Sequence, residues 1–240
     1  MNMHAGTALV VAGLSAREVG RRRAAVLLVI ALPLWFYLVR RDLTGQSIRM
    51  LALGIAWSIS TLTLFVVNAS RGVDPRLRLS GASVLGLVGG RLLAMSGAGT
   101  LLALGYWALV SLDQTVPHPF ATGLIMLLAA LVAAPFGSLV GALLPRELEG
   151  ALALLSVCAV QMLADPDGLA AKLMPFWSVR QIGTYAVDNA GLSYLWQGLG
   201  HFALYWLICT AGTLAIFAYR LRVARYPEPT EPHHEPSAVP

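Results

Sequence analysis

Ionisable side chains, which perform most of the chemistry in proteins, are almost absent from the long apolar runs of this sequence. His201 is the main exception. A histidine within an apolar helix can relay protons in an ion-coupled carrier. It can equally be a structural group that hydrogen-bonds to another helix, and a single histidine favours this second interpretation. We therefore expect the energy source of any transport process to lie outside this chain.

The sequence also lacks the local motifs that hold nucleotides, metals or catalytic nucleophiles. There is no G-x-x-x-x-G-K-[ST] phosphate-binding loop, no H-E-x-x-H, no C-x-x-C and no G-x-S-x-G. Cys158 and Cys209 lie in apolar runs and are typical of small packing residues. We expect no enzymatic activity, no metal site and no cofactor bound by this chain.

Charged residues instead concentrate between the apolar runs, and two groups of them are candidates for contacts with a partner. The segment 70–91 is basic, amphipathic and too polar to span a bilayer; its charged residues are Arg71, Asp74, Arg76, Arg78 and Arg91.

The second group is acidic. Glu147 and Glu149 precede an apolar run, where carboxylates stabilise the amino-terminal end of a helix through its dipole. Helix capping is therefore one possible role for these two glutamates, and contact with a partner or with the basic segment 70–91 is the alternative.

Two pairs of glycines have the G-x-x-x-G spacing that lets helices in a membrane approach closely. They are Gly86 with Gly90 and Gly137 with Gly141. We expect them to pack helices or to support dimerisation.

Composition identifies the elements that must position these residues. Hydrophobic residues make up 57% of the 240 residues and charged residues only 12%, about half the charged fraction of soluble domains. The mean hydropathy is +0.70. The net charge of +5 is not arranged as a basic face with interleaved aromatic residues, so nucleic-acid binding is not expected.

Six apolar runs predict an all-α membrane protein with a bundle of six transmembrane helices. The fifth run is short, and a buried or re-entrant helix is its alternative. The runs cover residues 24–39, 51–68, 92–112, 120–144, 150–164 and 196–219.

The remaining segments complete the predicted organisation around the transmembrane domain 24–219. Residues 1–23 predict an amphipathic helix that lies in the cytoplasmic interface, although an ordinary basic flank of the first span has a similar pattern. Segment 70–91 lies on the cytoplasmic side. Segment 165–195 lies on the outer side and is long enough that short interfacial helices are expected. Residues 220–240 are predicted to be a basic, then disordered, cytoplasmic tail.

The distribution of basic residues predicts that both termini are cytoplasmic, since cytoplasmic loops carry an excess of arginine and lysine. This orientation places five basic residues outside: Arg40, Arg41, Arg49, Lys172 and Arg180. It places twelve inside: Arg17, Arg21, Arg22, Arg23, Arg71, Arg76, Arg78, Arg91, Arg146, Arg220, Arg222 and Arg225.

Two stretches, combined with this order of segments, resemble a known family. The first is RGVDPRLRLSGAS at 71–83, followed by GRLL at 90–93; the second is PRELEG at 145–150. In sequence and position they are similar to the ABC-2 type permeases, the membrane subunits of exporters in the wider ABCG-like group. The resemblance extends from about residue 7 to residue 225.

The resemblance implies a function and partners. Segment 70–91 would be the coupling helix that docks on a cytoplasmic ABC ATPase, with Arg71, Asp74, Arg76, Arg78, Arg91, Glu147 and Glu149 as the coupling residues. ATP and Mg²⁺ would be bound by that ATPase, and a second permease copy or a paired permease subunit would complete the pathway in a bacterial plasma membrane. The expected cargo is a drug, an antibiotic or a lipid-like amphiphile. An ATP-independent secondary carrier, or a membrane scaffold or assembly protein, is the alternative.

Overall fold

The computed structural model describes residues 3–165 and 168–222, and no strand occurs among them. Ten helices are found in this part of the chain: α1 (Met3–Arg21), α2 (Arg23–Val39), α3 (Thr44–Ser70), α4 (Asp74–Leu79), α5 (Val84–Asp113), α6 (Pro119–Leu143), α7 (Glu147–Leu163), α8 (Leu169–Lys172), α9 (Trp177–Val187) and α10 (Leu192–Arg220). The protein is therefore all-helical over the described residues. Most of the predicted tail, residues 223–240, lies outside them.

Within the described residues, four helices are long and apolar enough to cross a membrane: α3, α5, α6 and α10. The number is five if α1 and α2, which meet at a bend of 84°, form one span. The first and fifth predicted runs lie in α2 and α7, which have 17 residues each. At 1.5 Å per residue such a helix is about 26 Å long, slightly shorter than a hydrocarbon core of about 30 Å.

The six longest helices after α1 alternate in direction, so the connections between them gather at two ends of the bundle. We call the end that carries α4 the basic end. There the Arg71 guanidinium contacts the carbonyl of Gly141 near the end of α6. We call the opposite end, formed by the α2–α3 turn, the α5–α6 connection and α9, the distal end. An ion pair between Arg49 and Asp188 joins α3 to α9 there.

Helix α3 lies at the centre of the bundle. It packs closely on α6, where the Ser60 hydroxyl donates a hydrogen bond to the Ala133 carbonyl at 3.1 Å. A Cβ atom at Gly137 would lie only 2.1 Å from the Ser60 carbonyl oxygen, so the absence of a side chain sets the separation of the two helices. The most apolar windows of α5 and α10, in contrast, are 28% and 17% buried, which leaves broad apolar faces exposed.

The amino-terminal helix α1 packs along the first turns of α5 rather than extending away from the bundle. A Cβ atom at Gly86 would lie 2.8 Å from Cβ of Thr7, and one at Gly90 would lie 2.5 Å from the Ala8 carbonyl oxygen. Val11 is buried in the same contact. Gly86 and Gly90 thus form the surface of α5 on which α1 packs.

The segment between α7 and α10 contains α8 and α9. Phe176, just before α9, is 1% exposed and packs edge-on against Phe136 of α6, with ring centroids 5.6 Å apart. This contact fixes α9 against the distal end of the bundle.

Candidate functional site

The segment between α3 and α5 folds into the short helix α4, bounded by two turns. Asp74 and Pro75 occupy its first turn and Arg76 and Arg78 its last, an order of charges that the helix dipole favours. The chain leaves through a turn in which Gly81 has a φ of 97°, a conformation that glycine adopts without steric strain.

A buried ion pair connects α4 to α5. The carboxylate of Asp74 and the guanidinium of Arg91 are 3% and 4% exposed, respectively, and bind each other directly. The Ser70 hydroxyl donates a second hydrogen bond to Asp74 at 3.3 Å. Because each charge is removed from water, each depends on the other for compensation.

The same guanidinium also reaches α10. It lies over the ring of Phe217, with 5.7 Å between the central guanidinium carbon and the ring centroid. A cation above an aromatic face is attracted by the electron density of the ring. Arg91 therefore links α4, α5 and α10 at one point.

Arg71 makes a separate connection to α6. Its Nε donates to Asn68 Oδ1 at 2.8 Å, and its Nη2 donates to the carbonyls of Gly141 and Leu144, the latter at 3.0 Å. The last carbonyls of a helix lack partners within the helix, and a basic side chain can bind them. Burial lowers the pKa of Arg71, and the nearby Arg220 guanidinium acts in the same direction.

A cavity of about 280 Å³ lies between these groups. It is bounded by Val67, Arg71, Asp74, Pro75, Phe217, Arg220 and Leu221. Its charged lining comes from the carboxyl end of α3, from α4 and from the end of α10, so the cavity marks the point where these three elements meet.

The remaining coupling candidates face outward to different degrees. Arg76 is exposed on α4, whereas Arg78 is half-buried and donates to the Ala82 carbonyl at 2.9 Å. Glu147 and Glu149 lie exposed in the first turn of α7. Glu149 pairs with Arg146 at 2.9 Å, and among the described residues neither glutamate forms an ion pair with an arginine of α4.

The structure thus divides the predicted residues into three groups. Arg71, Asp74 and Arg91 hold helices together, and Arg78 binds the turn that follows α4. Arg76, Glu147 and Glu149 are accessible to a partner. Phe217 and Arg220 belong to the same cluster, although the sequence indicated no role for Phe217. For the buried ion pair the sequence did contain a signal, because Asp74 is the one acidic residue in the basic segment 70–91.

The second glycine pair and His201 are also structural in their placement. Gly141 packs against Val67, where an added Cβ would lie 3.2 Å from the valine Cβ. The His201 Nε2 donates to the Lys172 carbonyl at 3.0 Å, and its ring stacks on that of Tyr205. This is the hydrogen-bonded structural role that the sequence favoured for His201.

Comparison with known proteins assigns no family to the chain: no family model matches it, and no curated protein matches it.

Proposed function

We propose that this chain is the permease subunit of an ATP-driven exporter, powered by a separate cytoplasmic ABC ATPase. The observation that carries the proposal is the attachment of α4. This short helix lies at the surface of the basic end, yet a buried ion pair ties it to α5, and the adjacent Arg71 ties the end of α3 to α6. With this attachment, a displacement of α4 by a partner would be transmitted to the helix bundle.

The outward side of α4 and its flanking turn is suited to docking. Val73 and Leu79 are 51% and 74% exposed, and Arg76 is exposed between them. An apolar surface with one cation is typical of a protein contact, in which apolar anchors supply affinity and the charge supplies orientation. Glu147 and Glu149 provide a second accessible patch at the same end of the bundle.

In the proposed mechanism, ATP-driven closure of the partner pushes α4. Because the buried Asp74–Arg91 pair joins α4 to α5, α4 and the first turns of α5 move together. Arg71 carries the same displacement from the end of α3 to the end of α6. The bundle then tilts and opens a path for cargo between two permease subunits. ATP and Mg²⁺ are bound by the ATPase, not by this chain.

The alternation of helices supports the proposed arrangement in the membrane. Six helices, α2, α3, α5, α6, α7 and α10, would cross a bacterial plasma membrane, with the basic end and both termini in the cytoplasm. α1 would lie at the cytoplasmic interface. The broad exposed faces of α5 and α10 leave area for lipid and for a second permease copy or a paired subunit. A drug, an antibiotic or a lipid-like amphiphile is the proposed cargo.

The test is co-purification of the full chain with a cytoplasmic ATPase encoded beside it. Arg76→Glu together with Leu79→Asp should abolish the association, because both residues lie on the outward side of α4. Arg17→Glu, at an exposed position on α1, is the matched control and should leave it intact. Unchanged association of the α4 variant would refute the docking surface. Movement of cargo down an ion gradient by the chain alone would instead establish a secondary carrier.

A further inference from the structure

The cavity of about 280 Å³ at the basic end has an unbalanced charge. Arg71 and Arg220 line it together with one acidic residue, Asp74. The Asp74 carboxylate is already bound by Arg91. Among the described residues, neither Arg71 nor Arg220 forms an ion pair with a carboxylate. The lining therefore contains two guanidinium groups that no carboxylate of the described residues neutralises.

Both guanidinium groups have donors that a ligand can use. The hydrogen bonds of Arg71, to Asn68 and to the carbonyls of Gly141 and Leu144, come from its Nε and Nη2, and Nη1 takes part in none of them. Arg220 is exposed in the last turn of α10. Burial lowers the pKa of Arg71, and repulsion by the Arg220 guanidinium lowers it further. An anion between the two groups would relieve this repulsion.

The position of the cavity along the helices indicates what kind of anion reaches it. Two of the helices that meet there, α3 and α10, are long and apolar enough to cross a membrane, and they end at Ser70 and Arg220. The remaining walls of the cavity are mostly apolar and include Val67, Phe217 and Leu221. The cavity therefore lies where two apolar spans end, which is the depth of the lipid head groups.

Helix α10 connects this depth to the hydrocarbon region. Its most apolar window is only 17% buried, so most of its apolar surface is accessible to lipid chains. Tyr219, next to Arg220 in the chain, is 72% exposed, and tyrosine rings are enriched at membrane interfaces. Basic pockets between transmembrane helices are a recurring type of binding site for anionic lipid head groups.

We propose that the cavity at the basic end binds the phosphate of an anionic phospholipid, with Nη1 of Arg71 and the guanidinium of Arg220 as donors and the acyl chains along α10. One phosphate would then join the end of α3 to the end of α10. Soluble phosphate compounds share the chemistry of the head group, and the test below separates the two sources. The site needs no ATPase to be occupied, so it does not depend on the exporter proposal.

The test measures binding of fluorescent phosphatidylglycerol to the full chain, purified in a zwitterionic detergent without an ATPase. Arg220→Gln should weaken binding by about ten-fold, the usual scale for the loss of a charged hydrogen bond. Arg220→Lys keeps the charge and should restore most of the affinity. Fluorescent phosphatidylcholine, which has no net charge, should bind more weakly than phosphatidylglycerol.

The matched control is Arg222→Gln. It removes an exposed charge two residues further along the chain, from a position that does not line the cavity. At physiological salt, where exposed charges are screened, it should change the affinity by less than about two-fold. Thermal unfolding of Arg220→Gln without the probe should match that of the unaltered chain, because the Arg220 side chain is exposed.

Three results would overturn the proposal. Unchanged affinity in Arg220→Gln would show that the phosphate does not reach the cavity. An equal loss in Arg222→Gln would show a general attraction to the basic end. Displacement of the probe by glycerol 3-phosphate as effectively as by phosphatidylglycerol would assign the cavity to a soluble phosphate compound. Loss of ATPase association in the variant of Arg76 and Leu79 tests the exporter proposal separately.

Discussion

Asparagine in place of Asp74 would leave the Arg91 guanidinium without its carboxylate while changing the side-chain volume very little. Both side chains of the pair are almost completely buried. Removing one member of a buried pair typically costs about 3–5 kcal/mol, because the remaining charge stays away from water without compensation. Asp74 also accepts from Ser70, and the new amide can keep that contact. We therefore expect Asp74→Asn to lower the free energy of unfolding by about 3 kcal/mol or more.

The measurement is equilibrium unfolding of the full chain in mixed micelles, followed by circular dichroism. The double variant Asp74→Asn with Arg91→Gln leaves no unpaired charge, so it should recover about half of the loss. The exposed pair of Arg146 and Glu149 lies at the same end of the bundle, with side chains 80% and 46% exposed. Arg146→Gln should therefore cost less than about 1 kcal/mol.

Two results would refute the reasoning. If Asp74→Asn cost no more than Arg146→Gln, the buried charge would not depend on its partner. If the double variant were as unstable as the sum of the two single variants, the two residues would not be coupled.

Two further predictions concern packing and orientation. Gly137→Ala should cost about 1–3 kcal/mol, because its Cβ would meet the Ser60 backbone; Gly200→Ala, where an added Cβ meets nothing within 4 Å, is the control for thermal unfolding and should be neutral or slightly stabilising. Single cysteines at Arg40 and Arg76 should react with a membrane-impermeant maleimide from opposite sides of the membrane, since they lie at opposite ends of the bundle, and reaction of both from one side would contradict the proposed orientation.

The class of the protein follows from local properties of the sequence. Long apolar runs with few charges predict helices that cross a membrane, because every backbone group must be satisfied within the segment. The structure agrees in being all-helical over the described residues, with four to five helices that satisfy length and hydropathy together. The count of six remains a prediction, because α2 and α7 are close to the limit at which length decides.

The extents of the helices show what hydropathy alone misses. The predicted run 51–68 begins seven residues after the start of α3 at Thr44. The polar residues in between are helical because residues of the distal end form polar contacts with them: Gln114 Nε2 donates to the Ser47 hydroxyl at 3.3 Å, and Arg49 pairs with Asp188. Such residues lower the hydropathy of a segment and are left out of the predicted run, because hydropathy takes no account of partners from elsewhere in the chain.

Arg91 illustrates the same effect at the basic end. The predicted run starts one residue after it, at 92, whereas α5 starts at Val84 and contains it. A guanidinium is tolerated inside this apolar helix because Asp74 neutralises it and Phe217 covers it. Both residues of the pair were predicted to be coupling residues, and in the fold they bind each other.

The sequence by itself therefore determined that the chain is a helical membrane protein with a basic segment between two of its apolar runs, because transfer from water to lipid depends on composition over about 20 consecutive residues. Only the tertiary structure decided which charges are buried, which glycines contact a neighbouring helix and where cavities lie between the helices. Each of these depends on contacts between residues distant in the chain, and such contacts are not encoded in any local window.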